Sequence, residues 1–175
     1  MVRRIRRGDD AAFGCLVDRH GERMLRLATV MLGHAADAED VVQETFAAAV
    51  RGLVGFRGHS SVKTWLTRIL VKRIARLRRS QRVRRAHSID QIGEEPPSAP
   101  NRAYAETDRS DLRMDLAAVL AELSEEHRSV VVLREVHGMS YQEIADVLKV
   151  PRGTVESRLF RARHRLRELL KGYLS

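Results

Sequence analysis

The sequence predicts an all-α fold: two small helical domains joined by a flexible linker, the second ending in a helix-turn-helix. Apolar residues recur at the three- and four-residue spacing of helices, and no useful stretch alternates as a strand does. Residues that start or stop helices separate these segments. Three of the four prolines fall between residues 96 and 100, which divides the chain in two.

The first predicted helix begins with Asp9 or Asp10 as its cap and ends at Gly33 and His34. Cys15 lies beside apolar residues in this segment, so we expect a buried structural thiol. A single cysteine excludes an internal disulfide framework and favours a reducing compartment.

Two further helices complete the predicted N-terminal domain, residues 1–87. Asp37 is the expected N-cap of a helix over residues 38 to about 51, with apolar positions on one side and acidic ones on the other. Ser60 or Ser61 is expected to cap a long helix over residues 62 to about 79.

Basic residues are segregated along the chain. The sequence has 32 Lys and Arg against 23 Asp and Glu, a formal charge of +9 over 175 residues. No Asp or Glu occurs between Glu44 and Asp90, an interval rich in arginine. Because a segregated basic surface attracts phosphate, the sequence predicts a nucleic-acid partner.

The expected linker covers residues 88–110. It holds the proline cluster, lacks a helical period and is acidic, with Asp90, Glu94, Glu95, Glu106 and Asp108. Both a solvated tether and a segment that imitates nucleic-acid phosphate fit this composition.

The predicted C-terminal domain, residues 111–175, opens with two helices. The first carries Leu112, Leu116, Val119, Leu120 and Leu123, and the second carries Val130, Val131, Leu133 and Val136. Gly138 is expected to end the second helix. Leu169, Leu170 and Tyr173 are expected to extend the last helix of the chain for packing.

The segment from Ser140 to Arg163 has the pattern of a DNA-reading helix-turn-helix. Ser140 and Glu143 form a capping box, and Pro151 suits the first turn of the next helix. That second helix offers one polar face to a major groove. Its members are Arg152, Glu156, Ser157, Arg158, Arg161 and Arg163.

Motifs of catalysis and cofactor binding are missing from the sequence. It contains no glycine-rich phosphate loop, no Cys/His metal spacing and no nucleophile elbow. The acidic residues near Asp37 are read as charge favoured at a helix N-terminus rather than as a metal site. We therefore expect no enzyme activity, cofactor or metal. No stretch approaches the roughly 18 apolar residues that span a bilayer, so we expect a cytoplasmic protein.

Four segments together resemble the extracytoplasmic-function sigma factors, the small promoter-specificity subunits of bacterial RNA polymerase. They are residues 37–46, 56–69, 123–145 and 151–163, in the order and spacing of that family. The resemblance covers nearly the whole chain outside the linker. It implies a protein that binds core RNA polymerase, places its domains on the −10 and −35 promoter elements and stabilises the melted strand.

The resemblance also implies three sets of site residues. Docking on the polymerase falls to Asp37, Glu39, Asp40, Gln43 and Glu44. Capture of the −10 strand falls to Phe56, His59, Ser60, Ser61, Lys63, Arg68, Lys72, Arg73 and Arg76. Reading of the −35 duplex falls to Arg152, Thr154, Glu156, Ser157, Arg158, Phe160 and Arg161. Trp65 is expected in the core rather than as a stacking platform, whereas Phe160 fits either role.

Four positions depart from the family pattern. Lys72 and Arg76 replace Asn and Asp that the long helix often carries, and Lys149 stands where a turn glycine is common. Glu156 replaces a basic residue. Since a carboxylate accepts from cytosine N4, we hypothesise an atypical −35 sequence.

Two other functions remain open at this stage. A stand-alone helix-turn-helix regulator would bind promoters without polymerase, as a dimer. A recombinase or nuclease with an appended helix-turn-helix is disfavoured by the all-α pattern of the N-terminal half. The resemblance also implies an anti-sigma factor as a partner.

Overall fold

The computed structural model describes residues 1–89 and 118–171. Its helices are α1 (Val2–Ile5), α2 (Asp10–Leu32), α3 (Ala35–Gly52), α4 (Val62–Ile89), α5 (Glu125–Val131), α6 (Tyr141–Leu148) and α7 (Arg152–Lys171). A 3-10 turn, Leu53–Gly55, follows α3, and a π-helical segment, Val132–Val136, continues α5. Residues 118–121 are also helical. The described residues contain no strand, so the predicted all-α class is confirmed.

Side-chain caps fix several helix ends where the sequence predicts them. The Asp9 carboxylate accepts a hydrogen bond from the Ala12 amide at 2.9 Å and starts α2. Gly33, at φ 73°, ends it in the left-handed conformation that glycine adopts without strain. Ser61 Oγ accepts from the Thr64 amide at 3.0 Å and starts α4.

Two predicted helix ends are wrong. Helix α3 begins at Ala35, and its N-cap residue His34 makes no side-chain capping bond. Asp37 lies inside the first turn, where the helix dipole favours a carboxylate. Helix α4 continues beyond Arg79 to Ile89, because residues 80–89 contain neither glycine nor proline. Residues 88 and 89 of the expected linker therefore belong to α4, and the rest lies outside the described residues.

Helices α2, α3 and α4 pack around large apolar side chains. Leu16, Met24, Leu27, Leu66 and Leu70 are each at most 1% exposed. The C-terminal helices bury a second set, which is continuous with the first: Val130, Val132, Leu133, Ile144, Val155 and Leu159. The buried apolar residues of the two parts thus form one connected core.

Individual core predictions fare differently. Trp65 packs against the core, whereas Phe160 is 73% exposed and does not. Cys15 is exposed, so the expected burial is wrong; it lies on the outer side of α2, next to fully buried Leu16. Val136, expected on an apolar face, is 46% exposed. Leu112, Leu116 and Tyr173 lie outside the described residues.

Candidate nucleic-acid interface

The loop before α4 is anchored at one end and open at the other. The Phe56 ring packs on Trp65 with 5.1 Å between the ring centroids. Arg6 holds the same end, since its guanidinium donates to the carbonyl oxygens of Leu53, at 2.8 Å, and of Phe56. His59 is exposed and Ser60 half-buried. The loop is therefore held at its Phe56 end, and its polar side chains are accessible to a partner.

Ser61 serves the helix as well as the loop. Its hydroxyl oxygen receives the Thr64 amide, and it lies 2.8 Å from the Thr64 hydroxyl. Because the Thr64 hydroxyl donates to Glu143 Oε1 at 2.8 Å, Ser61 is the donor to Thr64. A residue predicted to contact DNA is thus engaged in capping α4.

The basic face of α4 contains both paired and unpaired cations. Lys72 and Arg76 are exposed and have no hydrogen-bond or ion-pair partner among residues 1–89 and 118–171. Arg73 pairs with Glu44 at 2.7 Å. Arg68 carries a buried Nε that lacks an acceptor in the described part of the chain. Lys72 and Arg76 are therefore available to an anionic ligand, whereas Arg73 must first leave Glu44.

The acidic face of α3 lies beside this basic helix. Glu39, Asp40 and Gln43 are exposed, while the opposite side of the helix is buried. Asp37 accepts a hydrogen bond from Gln81 Nε2 at 3.0 Å, and Glu44 is held by Arg73. Two of the five predicted docking residues are therefore tied to α4, and three point freely to solvent.

The helix-turn-helix has the predicted local geometry. The Ser140 and Glu143 capping box is formed at both of its hydrogen bonds. Lys149 occupies the turn at φ 60° and ψ 42°, the one non-glycine residue with positive φ among those described. Val155, Leu159 and Ala162 are buried, which leaves the opposite side of α7 to solvent.

The outer face of α7 is partly paired within the protein. Arg152 Nε donates to Glu156 Oε1 at 2.9 Å, four residues along the same helix. Arg158 pairs with Glu126 at 2.8 Å, and its side chain is 20% exposed. Ser157 donates to the Thr154 carbonyl at 3.0 Å. Phe160 and Arg161 are exposed.

A group of residues that the sequence does not single out joins α4 to the helix-turn-helix. Arg23 and Lys63 both donate to the His137 carbonyl oxygen, at 2.7 and 2.9 Å. Thr67 Oγ1 lies 2.9 Å from His137 Nε2. With Thr64 and Glu143, these residues form what we call the His137 cluster. A histidine before a glycine and two threonines three positions apart carry no distinctive signal in the sequence.

The state of the imidazole follows from its neighbours. The Thr67 hydroxyl donates its single proton to the Lys63 carbonyl at 2.9 Å, so His137 Nε2–H donates to Thr67. Burial, followed by the positive charges of Lys63 and Arg23, lowers the pKa of His137 to about 4. The pKa of Lys63 is also lowered, chiefly by burial. His137 is therefore neutral at pH 7.

Glu125 makes a second contact between the same parts of the chain. Its carboxylate receives Arg78 at 2.9 Å and also pairs with Arg82, both on α4. The pKa of Glu125 is lowered although burial opposes the shift, because the Arg78 hydrogen bond and three guanidinium charges favour the carboxylate. Helix α4, which carries most of the predicted −10 residues, is thus linked to α3 through Arg73 and Glu44, to α5 through Glu125, and to α6 through Thr64 and Glu143.

The described residues contain no group of three or more side chains placed to hold a metal ion. Among the helices of residues 1–89 and 118–171, none has the length and apolarity required to cross a membrane.

Comparison with known families assigns both halves of the chain. Residues 16–84 match the model of Sigma-70 region 2, and residues 113–166 match that of Sigma-70, region 4. The chain is 35% identical to the RNA polymerase sigma-H factor of Pseudomonas aeruginosa, over 99% of this chain and 94% of that protein. It is 36% identical to the ECF RNA polymerase sigma-E factor of Escherichia coli, over 93% and 88%.

Two solved structures resemble the whole chain. CnrH, in complex with the cytosolic domain of CnrY, superposes with a TM-score of 0.74 at 30% identity, covering 98% of this chain and 95% of CnrH. The sigma factor RpoE from Bartonella quintana, in complex with the anti-sigma factor NepR, gives 0.73 at 29% identity, covering 91% and 97%.

Proposed function

This chain belongs to the extracytoplasmic-function sigma factors of the sigma-70 family, and we propose which of its residues perform each step of a sigma factor's work. As an RNA polymerase sigma factor it binds core polymerase and directs initiation at specific promoters. We assign polymerase docking and the −10 element to residues 1–87, the −35 element to residues 111–175, and the connection to residues 88–110.

Polymerase docking falls to the free acidic face of α3. Glu39, Asp40 and Gln43 are exposed and unpaired within the described residues, so a basic or polar partner meets them without first breaking internal bonds. Glu44 contributes while it holds Arg73, which joins the docking face to the DNA-binding face.

The basic face of α4 and the loop before it take the melted −10 strand. This assignment is carried by one observation: Lys72 and Arg76 are exposed cations without internal partners, beside the buried, unsatisfied Nε of Arg68. Flipping a base from the stack costs a few kcal/mol, which contacts of the loop with the base and of α4 with the strand's backbone must offset. Phe56, His59, Ser60, Ser61, Lys63 and Arg73 complete the proposed set.

Helix α7 takes the −35 duplex in its major groove. Arg152, Glu156, Ser157 and Arg161 are exposed along one side, and the capping box and turn fix the angle at which that side is presented. Thr154, Arg158 and Phe160 flank them. Arg158 must exchange Glu126 for a phosphate or a base edge, a small cost for a pair at the surface.

An anti-sigma factor is the partner that we propose beyond polymerase and promoter. It is supported by the similarity to RpoE, which was solved in complex with one. The sigma factor itself acts where polymerase does, in the cytoplasm. It contributes promoter specificity through binding, and the polymerase catalyses RNA synthesis.

Run-off transcription tests the function. Core polymerase is incubated with a pool of genomic promoter fragments, with and without the protein, and the transcripts are sequenced. We expect a discrete set of transcripts that depends on the protein. A stand-alone regulator would instead protect the same fragments from cleavage without polymerase and add no polymerase-dependent starts.

A charge variant tests the docking assignment in a direct measurement of binding to core polymerase. Asp40→Asn is expected to weaken binding to core polymerase several-fold, because it removes one exposed carboxylate of the docking face. Asp18→Asn, which makes the same change at an exposed carboxylate on α2 that is unpaired among the described residues, is the matched control. Equal affinities for the two variants would contradict the assignment.

A further inference from the structure

The two parts of the chain that are assigned to DNA are held against each other. We propose that the His137 cluster, together with the Glu125 pairs, is a latch that keeps the free protein in a closed form unable to engage both promoter elements. Binding to polymerase and promoter then requires the latch to open. This inference rests on the proposed function, since it concerns the same DNA-binding residues.

Lys63 shows what the latch withholds. Its ammonium group is assigned to the −10 strand, yet in the closed form it donates to the His137 carbonyl at 2.9 Å. Thr64, one residue further along α4, is 1% exposed and donates to Glu143 on α6, the first helix of the helix-turn-helix. The start of α4 is therefore covered by the domain assigned to the −35 element.

The distance between the promoter elements shows why the closed form cannot serve both. The −10 and −35 positions are about 25 base pairs apart, or roughly 85 Å along duplex DNA. In the closed form α4 and α6 are in hydrogen-bond contact, and α7, which follows α6 directly, is about 30 Å long from its 20 residues. Since DNA is stiff over this length, the protein must extend.

The chemistry of the latch suits reversible opening. Thr64, Thr67 and His137 are each at most 1% exposed, and every one of them is hydrogen-bonded across the contact. Such a contact is specific, because displacing it slightly leaves buried polar groups unpaired. Full opening gives the same groups to water and also exposes apolar residues where the two cores meet, so the free energy of binding to polymerase and promoter must drive it.

The test measures the distance between the two domains in the full-length chain. Exposed Cys15 is replaced by serine, and fluorescent labels are attached at Asp18→Cys on α2 and Arg167→Cys on α7. Energy transfer between the labels reports closure without any need for polymerase activity. We expect high transfer in the free protein and a fall when core polymerase and promoter DNA are added.

Two latch variants have matched controls. Thr67→Val keeps the side-chain shape and removes the acceptor for His137, while Thr45→Val changes another buried threonine whose hydroxyl bonds only its own helix. Glu125→Gln removes the charge that holds Arg78 and Arg82, while Glu122→Gln makes the same change at an exposed, unpaired residue. Circular dichroism checks that each variant keeps its helices.

The latch variants should lower energy transfer in the free protein at least twofold and tighten binding to core polymerase two- to tenfold, since less protein is in the closed form. The controls should match the parent. Low transfer in the free parent, or parental transfer in both latch variants, overturns the latch. Open variants with unchanged polymerase affinity overturn its inhibitory role. Run-off transcription by the parent tests the proposed function separately, because its result does not depend on whether the latch exists.

Discussion

Lys149 carries a local strain at the turn between α6 and α7. It adopts φ 60° and ψ 42°, and its amide donates to the Ala145 carbonyl, as in a left-handed helix C-cap. A residue with a Cβ loses about 1–2 kcal/mol in this conformation, whereas glycine does not. Since the family commonly has glycine at this position, Lys149 makes the turn less stable than that glycine would.

Lys149→Gly is expected to raise the free energy of unfolding by about 0.5–1 kcal/mol, since relief of strain outweighs the greater entropy of glycine in the unfolded chain. Urea denaturation monitored by circular dichroism measures the change. Lys149→Ala, which removes the same charge but keeps a Cβ, is the control and should show no gain. Equal gains for both variants would point to charge instead of backbone conformation.

Glu156 is the residue of α7 most able to change promoter choice. Its carboxylate is held by Arg152 at 2.9 Å, with both side chains about half exposed or more. An exposed pair of this kind contributes at most about 1 kcal/mol, so the carboxylate is free to turn towards a cytosine N4 amino group. The pairing also orients Arg152 in the absence of DNA.

Glu156→Ala should relax selection at one −35 base pair, with a loss of about 1–3 kcal/mol of discrimination, as for a single base-edge contact. Holoenzyme binding to a library randomised over the −35 region measures it. Glu168→Ala, further along the same helix, is the control. A base preference that stays the same in the Glu156 variant contradicts the direct-reading hypothesis.

At the scale of elements, α4 combines three tasks on one helix. Its apolar side closes the N-terminal core, its basic side faces solvent, and its first turn contacts α6. Lys72 and Arg76 replace short polar residues of the family pattern and add two exposed, unpaired charges. We expect this chain to hold the −10 strand more through phosphate contacts than through polar contacts to bases.

The salt dependence of binding tests that expectation. With a single-stranded thymidine oligonucleotide as the probe, Arg76→Ala should reduce the slope of log K against log salt by about 0.7, as for one lost phosphate contact. Arg19→Ala, at an exposed arginine of α2, is the control. A slope that is the same in the Arg76 variant and the parent would place this side chain away from the strand.

Helix types and caps are the part of this fold that sequence predicts well, because they depend on neighbours in the chain. Asp9, Ser61 and Ser140 act as expected, each through a bond to an amide three residues on. The His137 cluster escaped prediction because it joins residues 70 or more positions apart. The end of α4 was misplaced because polar helix formers there carry no apolar pattern.

In the candidate site, too, the sequence predicts features set by neighbours in the chain but not contacts between distant residues. The exposed faces of α3 and α7 follow from helical spacing, and Glu39, Asp40 and Arg161 are exposed on them, while their binding roles stay predictions. Pairing between the faces could not be predicted. Arg73 with Glu44 and Arg158 with Glu126 each join residues from different helices, and only the packed structure sets their distance.

At the scale of the whole molecule, the closed form is sensitive to pH through His137. Arg23, Lys63 and Glu143 face it from α2, α4 and α6, and Thr67 accepts from its Nε2. Its pKa is about 4 when closed and about 6.5 when exposed to water. Between these values the open form binds more protons, so stability of the closed form rises with pH and is lost as pH falls.

Energy transfer in the doubly labelled protein is therefore expected to be constant above about pH 6.5 and to fall as the pH approaches 4. His137→Gln retains an N–H donor for Thr67 without a titrating ring, so its transfer should stay level over this range. His20→Gln serves as the control, because burial also lowers the pKa of His20, which lies outside the cluster, and the pH response should persist. A response that survives in the His137 variant would assign the opening to carboxylates such as Glu125 or Glu143.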